Sequence, residues 1–226
     1  MKATKPELAA RATGPRRLTD KARRREAELC DVAAEIFQEK GYAATTLRDI
    51  ADALGMLKGS LYYYIDSKED LLYRIISSIH ADGRDNLEQA RSVEGAPVEK
   101  LRALLEGQVL RYGKRLSWVR VFYSEYRSLS GPRQDEINLQ RREYRQYVEH
   151  LVALGQADGS FCPELDLRVA TNSALSVVNM VYQWYRPSRN LSLETVARIQ
   201  SNFVIRGLRC ASDHRHLPPG RSSAGR

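Results

Sequence analysis

Apolar residues recur at helical intervals along almost the whole chain. From Arg23 onward Leu29, Cys30, Ala33, Ile36 and Phe37 share one face, and Gly41 suits a left-handed stop. Leu47, Ile50, Ala51 and Leu54 then follow i, i+3, i+4, i+7. Thr46-Leu-Arg-Asp49 opens that helix as a capping box, with aspartate in the usual place of glutamate, and Gly55 closes it. A third, short helix is predicted near 57–64, with Leu61 and Ile65 turned inward. Ser67-Lys-Glu-Asp70 begins a longer one carrying Leu71, Leu72, Ile75, Ile76 and Ile79. Pro97 and Pro132 stand where a first-turn proline belongs and open helices near 97–115 and 132–155, the second ended by Gly155 and Gly159. Between them Trp118, Val119, Phe122, Tyr123 and Tyr126 make an aromatic helix near 117–129. Two long helices near 166–185 and 192–210, separated by Pro187, complete the pattern. No alternating β-branched run breaks it, so the fold class is all-α.

The turn chemistry divides the chain. Residues 1–22 hold Pro6, Gly14 and Pro15 without an apolar period and are expected to be a disordered basic arm. Residues 23–66 are read as a three-helix DNA-binding unit with a helix-turn-helix. Residues 67–211 are read as a larger helical domain for ligand binding and dimerisation. Residues 212–226, rich in Pro, Gly, Ser and Arg, form a second disordered tail.

Composition changes this picture in one respect. The net charge of +8 is concentrated in the first 25 residues, where nine bases face only Glu7 and Asp20; the rest is nearly neutral. A basic arm binds polyanions by releasing counterions, although a solvated tail has the same composition. No apolar run is long enough to cross a bilayer, and no secretory signal is visible. Cys30, Cys162 and Cys210 lack metal or disulfide spacing, so a reducing cytoplasm is the expected home. His80, His150, His214 and His216 show no ligand spacing either. With no nucleophile elbow and no phosphate loop, neither enzyme activity nor a cofactor is expected.

Two short helices joined by a glycine-containing turn, with a third packed across them, suit the major groove. Leu57-Lys58-Gly59-Ser60-Leu61-Tyr62-Tyr63-Tyr64-Ile65 offers small and polar groups on one side and apolar anchors on the other. Gly59 admits close approach of DNA, Lys58 and Ser60 can donate, and tyrosine hydroxyls can reach phosphates. The stretch Thr45-Thr46-Leu47-Arg48-Asp49-Ile50-Ala51, Gly55 to Tyr64, and Ser67-Lys68-Glu69 resembles the N-terminal domain of the TetR family of repressors. The resemblance implies binding of a double-stranded DNA operator through Thr45, Thr46, Arg48, Leu57, Lys58, Gly59, Ser60, Tyr62, Tyr63 and Lys68. Thr46, Tyr62 and Lys68 would hold phosphates, the last where a helix N-terminus favours anions. Leu57 stands where many members carry a small polar residue; we take it to pack, with a thymine methyl as the alternative. The charges of 45–68 cancel, which also fits a three-helix core with no nucleic-acid role.

The same resemblance implies a homodimer and a small apolar effector that releases DNA. The dimer is expected to use the helices near 166–185 and 192–210. Trp184-Tyr185-Arg186-Pro187 is similar to a branch governing breakdown of CoA-activated lipids, which suggests an acyl-CoA, although the same residues also read as dimer or core packing. A mostly apolar pocket is expected within 70–185, walled by Trp118, Phe122, Tyr123 and Tyr126. Asn172, Ser176, Asn179 and Gln183 would supply neutral polar contacts. Phosphates of CoA would lie against Arg111, Lys114 or Arg186. An architectural DNA-binder without effector control is the rival reading, and it needs no cavity.

Overall fold

The computed structural model describes residues 20–187 and 191–210. Most of the expected arm and the whole expected tail lie outside those residues. Among the described residues every regular element is helical. These are α1 (Asp20–Lys40), α2 (Leu47–Ala53), α3 (Lys58–Leu61), α4 (Lys68–Ser92), α5 (Pro97–Lys114), α6 (Leu116–Glu125), α7 (Gly131–Ala157), α8 (Leu167–Asn179), α9 (Val181–Trp184) and α10 (Leu193–Leu208), with a 3-10 turn at Tyr126–Ser128.

The capping signals act as expected. Thr46 Oγ1 accepts from the Asp49 amide while Asp49 Oδ2 accepts from the Thr46 amide at 2.7 Å, a reciprocal capping box. Ser67 caps α4 by accepting from the Asp70 amide at 3.0 Å, and Asp166 and Ser192 do the same for α8 and α10. Gly55, at φ 62°, makes the left-handed turn between α2 and α3 that a Cβ would strain.

Three helices differ from expectation. The segment predicted as 57–64 is helical only at Lys58–Leu61, and then continues through tight turns pinned by the buried Leu61 and Ile65. The 166–185 helix breaks at Met180, where ψ is −1° and the Gln183 amide reaches back only three residues to the Met180 carbonyl, at 3.1 Å. Gly155 does not end α7. A Cβ there would lie 2.1 Å from the Phe161 ring, so this glycine is a packing notch inside the helix.

Two apolar cores result, and α4 belongs to both. Leu29, Ala33, Phe37, Ile50, Leu61 and Ile65 pack on Leu72, Ile75 and Ile76 of α4 and on Val119 and Phe122 of α6. Leu87 and Ala90, further along α4, join Leu101, Leu104, Val109, Leu151, Val178, Val196 and Ile205 in the second core. A helix of 25 residues spans about 37 Å at 1.5 Å per residue. It therefore reaches from the helix-turn-helix deep into the larger domain. Asp70, buried near its start, ties the elements together by accepting from Arg74 and from Arg133 of α7, both at 3.0 Å; Arg74 also pairs with Glu26 of α1.

Candidate DNA-binding surface and effector cavity

The exposed face around α3 is built outward from Leu61 and Ile65. With those two buried, Leu57, Lys58, Ser60, Tyr62 and Tyr63 point to solvent. Leu57 is 80% exposed, which overturns the expectation that it packs and leaves it free to meet a thymine methyl. A Cβ on Gly59 would meet nothing of the protein within 4 Å, so no internal packing demands glycine there. Arg48 is exposed, and its 3.8 Å contact with Asp52 is too weak to hold it from a phosphate.

The rest of the predicted set is placed differently. Thr45 is buried and its hydroxyl donates to the Gly41 carbonyl at 2.8 Å, so it shapes the α1–α2 turn and does not face a ligand. Lys68 is drawn inward too. Its Nζ donates to the carbonyls of Tyr42, at 2.7 Å, and Thr45, at 2.8 Å, and lies 4.4 Å from the centre of the Tyr42 ring. The ammonium expected on a phosphate instead fastens α4 to the turn between α1 and α2. Thr46 remains at the surface, with its hydroxyl donating to Asp49 at 2.7 Å. Lys40 donates to the other oxygen of Asp49 at 2.9 Å, and these bonds hold that carboxyl far below the usual range.

A cavity of about 520 Å³ lies inside the larger domain, between α4, α5, α6, α7 and α8. Phe122, Tyr123, Asn172, Ser176 and Asn179 line it, as expected. Trp118 does not. It is buried between α6 and α1, donates through Nε1 to Asp31 at 2.8 Å, and carries the Arg115 guanidinium 3.5 Å from its ring centre. Tyr126 lies outside the wall with Arg141 over its ring at 4.2 Å, and Gln183 is exposed with its amide on the Tyr182 hydroxyl.

The cavity is also less apolar than expected. Alongside Ile79, Leu87 and Leu175 it presents His80, Gln108, Gln140, Tyr112 and Tyr144. Much of this polarity is internally paired. Gln108 donates to Asn179 at 3.2 Å and accepts from Tyr144 at 2.9 Å, while the hydroxyls of Tyr112 and Tyr123 meet at 3.2 Å. Burial pushes the Tyr112 hydroxyl up to about 12, so it stays a neutral donor.

The bases at the cavity are not the predicted ones. Arg111 is held by Asn86 and Gln89, each at 2.9 Å, Arg186 donates to the carbonyls of Gln183 and Tyr185, and Lys114 is not in the wall. Arg84 of α4 and Arg141, Arg142 and Arg145 of α7 line it instead, against the single acid Glu143. Three arginines within five residues, Arg141 to Arg145, stand out in the sequence, but the helix near 132–155 was given no part in the site.

Tyr123 also borders a second, smaller hollow against α1, with Phe37, Gln38, Arg120 and Tyr182. Its ring stacks on Tyr182 at 4.8 Å with planes 2° apart. Arg120 donates to the Tyr182 carbonyl at 3.2 Å and to Gln38 of α1 at 3.1 Å.

Residues 29–75 match the model of the tetR family of bacterial regulatory proteins, and residues 94–208 match a tetracyclin repressor-like C-terminal domain. The chain belongs to the TetR family. It is a transcription regulator of that family, and not an enzyme. It is 32% identical to the HTH-type transcriptional repressor KstR2 of Rhodococcus jostii, over 84% of this chain and 93% of that protein. The ketosteroid transcriptional regulator KstR2 of Mycobacterium tuberculosis superposes with a TM-score of 0.78 at 27% identity, covering 83% of this chain and 96% of that one. AibR, solved in complex with isovaleryl coenzyme A and operator DNA, superposes with a TM-score of 0.70 at 26% identity, covering 79% of this chain and 97% of that one. Among the described residues no helix is long and apolar enough to cross a membrane, and no cluster of metal-ligating side chains is present.

Proposed function

We propose that this TetR-family protein is a dimeric repressor whose α3 enters the major groove of a palindromic operator, and which lets go when an acyl-CoA thioester fills the cavity. The observation that carries the effector reading is the cavity itself, large enough for an acyl chain and bordered by four arginines. An architectural DNA-binder needs neither. CoA phosphates would lie against Arg84 and Arg142, the exposed members of the set, with the acyl part directed toward Phe122 and Leu175.

Release requires the effector to favour one dimer geometry over the other. Two elements reach from cavity to DNA surface. One is α4, which lines the cavity at Ile79 and Leu87 and starts beside α3. The other runs from Tyr123 through Tyr182 and Arg120 to Gln38, two residues before Lys40, which holds the Thr46–Asp49 cap. A ligand that displaces Tyr123 moves α1 and the cap together.

Charge reversal at the rim tests the assignment. Arg84→Glu with Arg142→Glu weakens octanoyl-CoA by about tenfold or more, as expected for lost charge-assisted bonds, and leaves octanoate unaffected. Titration calorimetry reads both. Equal losses for thioester and free acid would place the CoA moiety elsewhere.

A further inference from the structure

Among the described residues three buried side-chain polar atoms have no hydrogen-bond partner: His80 Nε2, Gln140 Oε1 and Thr171 Oγ1. Two of the three, on α4 and α7, belong to residues that line the cavity. Buried polar atoms are paired in the great majority of cases, and leaving one unpaired is costly. Two orphans bordering one cavity, beside Gln108, Asn179, Tyr144, Tyr112 and Tyr123, which bond to one another, mark the place where a ligand completes the bonding.

We infer that His80 and Gln140 read a hydroxyl group on the buried acyl portion of the effector. The argument is one of donors and acceptors. The Gln140 amide nitrogen already donates to Glu136 at 2.9 Å, so its oxygen is aimed elsewhere and can only accept. His80 is neutral at ordinary pH. Burial, then Arg141 and Arg84, lower its pKa to about 4 despite the opposing pull of Glu136. Its ring stands edge-on to Phe122 at 5.0 Å, which fixes its plane.

An alcohol satisfies both atoms, donating to Gln140 Oε1 and accepting from the His80 Nε2–H tautomer. A ketone serves His80 alone and leaves Gln140 unpaired. A carboxylate sets acceptor against acceptor at Gln140, and an ammonium group meets Arg84 and Arg141. Effectors of this class are hydroxyacyl thioesters, the products of hydrating an unsaturated acyl thioester or reducing a ketoacyl one. The regulator then responds more strongly to an intermediate of acyl breakdown than to the unsubstituted thioester.

This inference rests on the acyl-CoA reading of the cavity, and the test separates the two. Two matched pairs cover chain and ring: octanoyl-CoA with 3-hydroxyoctanoyl-CoA, and cyclohexanecarboxyl-CoA with its 4-hydroxy derivative. In at least one pair the hydroxylated member binds the full-length protein about tenfold tighter by calorimetry. His80→Phe and Gln140→Leu each abolish that preference. Both also raise, or leave unchanged, the melting temperature of the ligand-free protein, because each removes an unpaired buried polar atom. A purely structural residue would lower it. If the thioesters bind and neither pair discriminates, the hydroxyl assignment is wrong and the acyl-CoA reading stands. If none of the four binds, both fall together.

Discussion

Replacing Lys58 and Tyr62 together by alanine lowers operator affinity by about a hundredfold or more while the protein stays folded. A good contact of Lys58 to a base edge contributes about 1–3 kcal/mol, a Tyr62 hydroxyl on a charged phosphate about 1.5–3 kcal/mol, and every 1.4 kcal/mol is tenfold. Both side chains leave the protein surface outward, and neither belongs to the buried core beneath, which rests on Leu61 and Ile65. The melting temperature should therefore move little, since surface substitutions away from special features cost within about 0.5 kcal/mol. Lys68→Ala should behave in the opposite way. Its ammonium is bound to the carbonyls of Tyr42 and Thr45, so its loss lowers thermal stability first and DNA affinity only as a consequence. Footprinting and thermal melts on the same preparations distinguish the two patterns. A normal footprint from the Lys58→Ala, Tyr62→Ala protein would remove α3 from the groove.

The second large effect concerns assembly. Phe203 is 68% exposed and Ile199 49% exposed on α10, and Val169 of α8 is 62% exposed. Phe203 and Ile199 lie four apart, on one stripe of α10 opposite its buried residues Ala197, Ser201 and Ile205. Such a stripe fits pairing of α8 and α10 with the same helices of a second copy across a two-fold axis. Ile199→Glu with Phe203→Glu should give a monomer by sedimentation at micromolar concentration. Operator affinity should fall by more than about a hundredfold, because two half-sites are no longer gripped by one linked body. A variant that still sediments as a dimer would move the interface elsewhere.

The DNA-binding end was legible because its signals are local. The Thr46–Asp49 box, the Ser67 cap and the inward pair Leu61 and Ile65 each depend on residues within four positions, and all are found as read. Thr45 and Lys68 were misplaced for the complementary reason. The partners of Lys68, the Tyr42 and Thr45 carbonyls, come together only when α4 packs on the α1–α2 turn, and Thr45 turns inward to the Gly41 carbonyl in a turn that periodicity does not describe. The aromatic helix shows the same limit. Its residues are close in sequence, but its twist sends Trp118 toward Asp31 on α1 and Phe122 and Tyr123 toward the cavity. Periodicity identifies an apolar face and does not say which of two neighbours it meets. The part played by the α7 arginines and by the unpaired atoms of His80 and Gln140 was hidden for a related reason. A polar residue facing an internal cavity looks, in sequence, like one facing solvent.

The central claim is that DNA binding and cavity occupation are linked through one folded unit. Fluorescence anisotropy of a labelled duplex from the region upstream of the gene, repeated with a saturating acyl-CoA thioester, tests it most directly. Operator affinity in the presence of the thioester should fall by about five- to 150-fold, a coupling of about 1–3 kcal/mol. A thioester that saturates the protein yet leaves operator affinity unchanged would contradict the account.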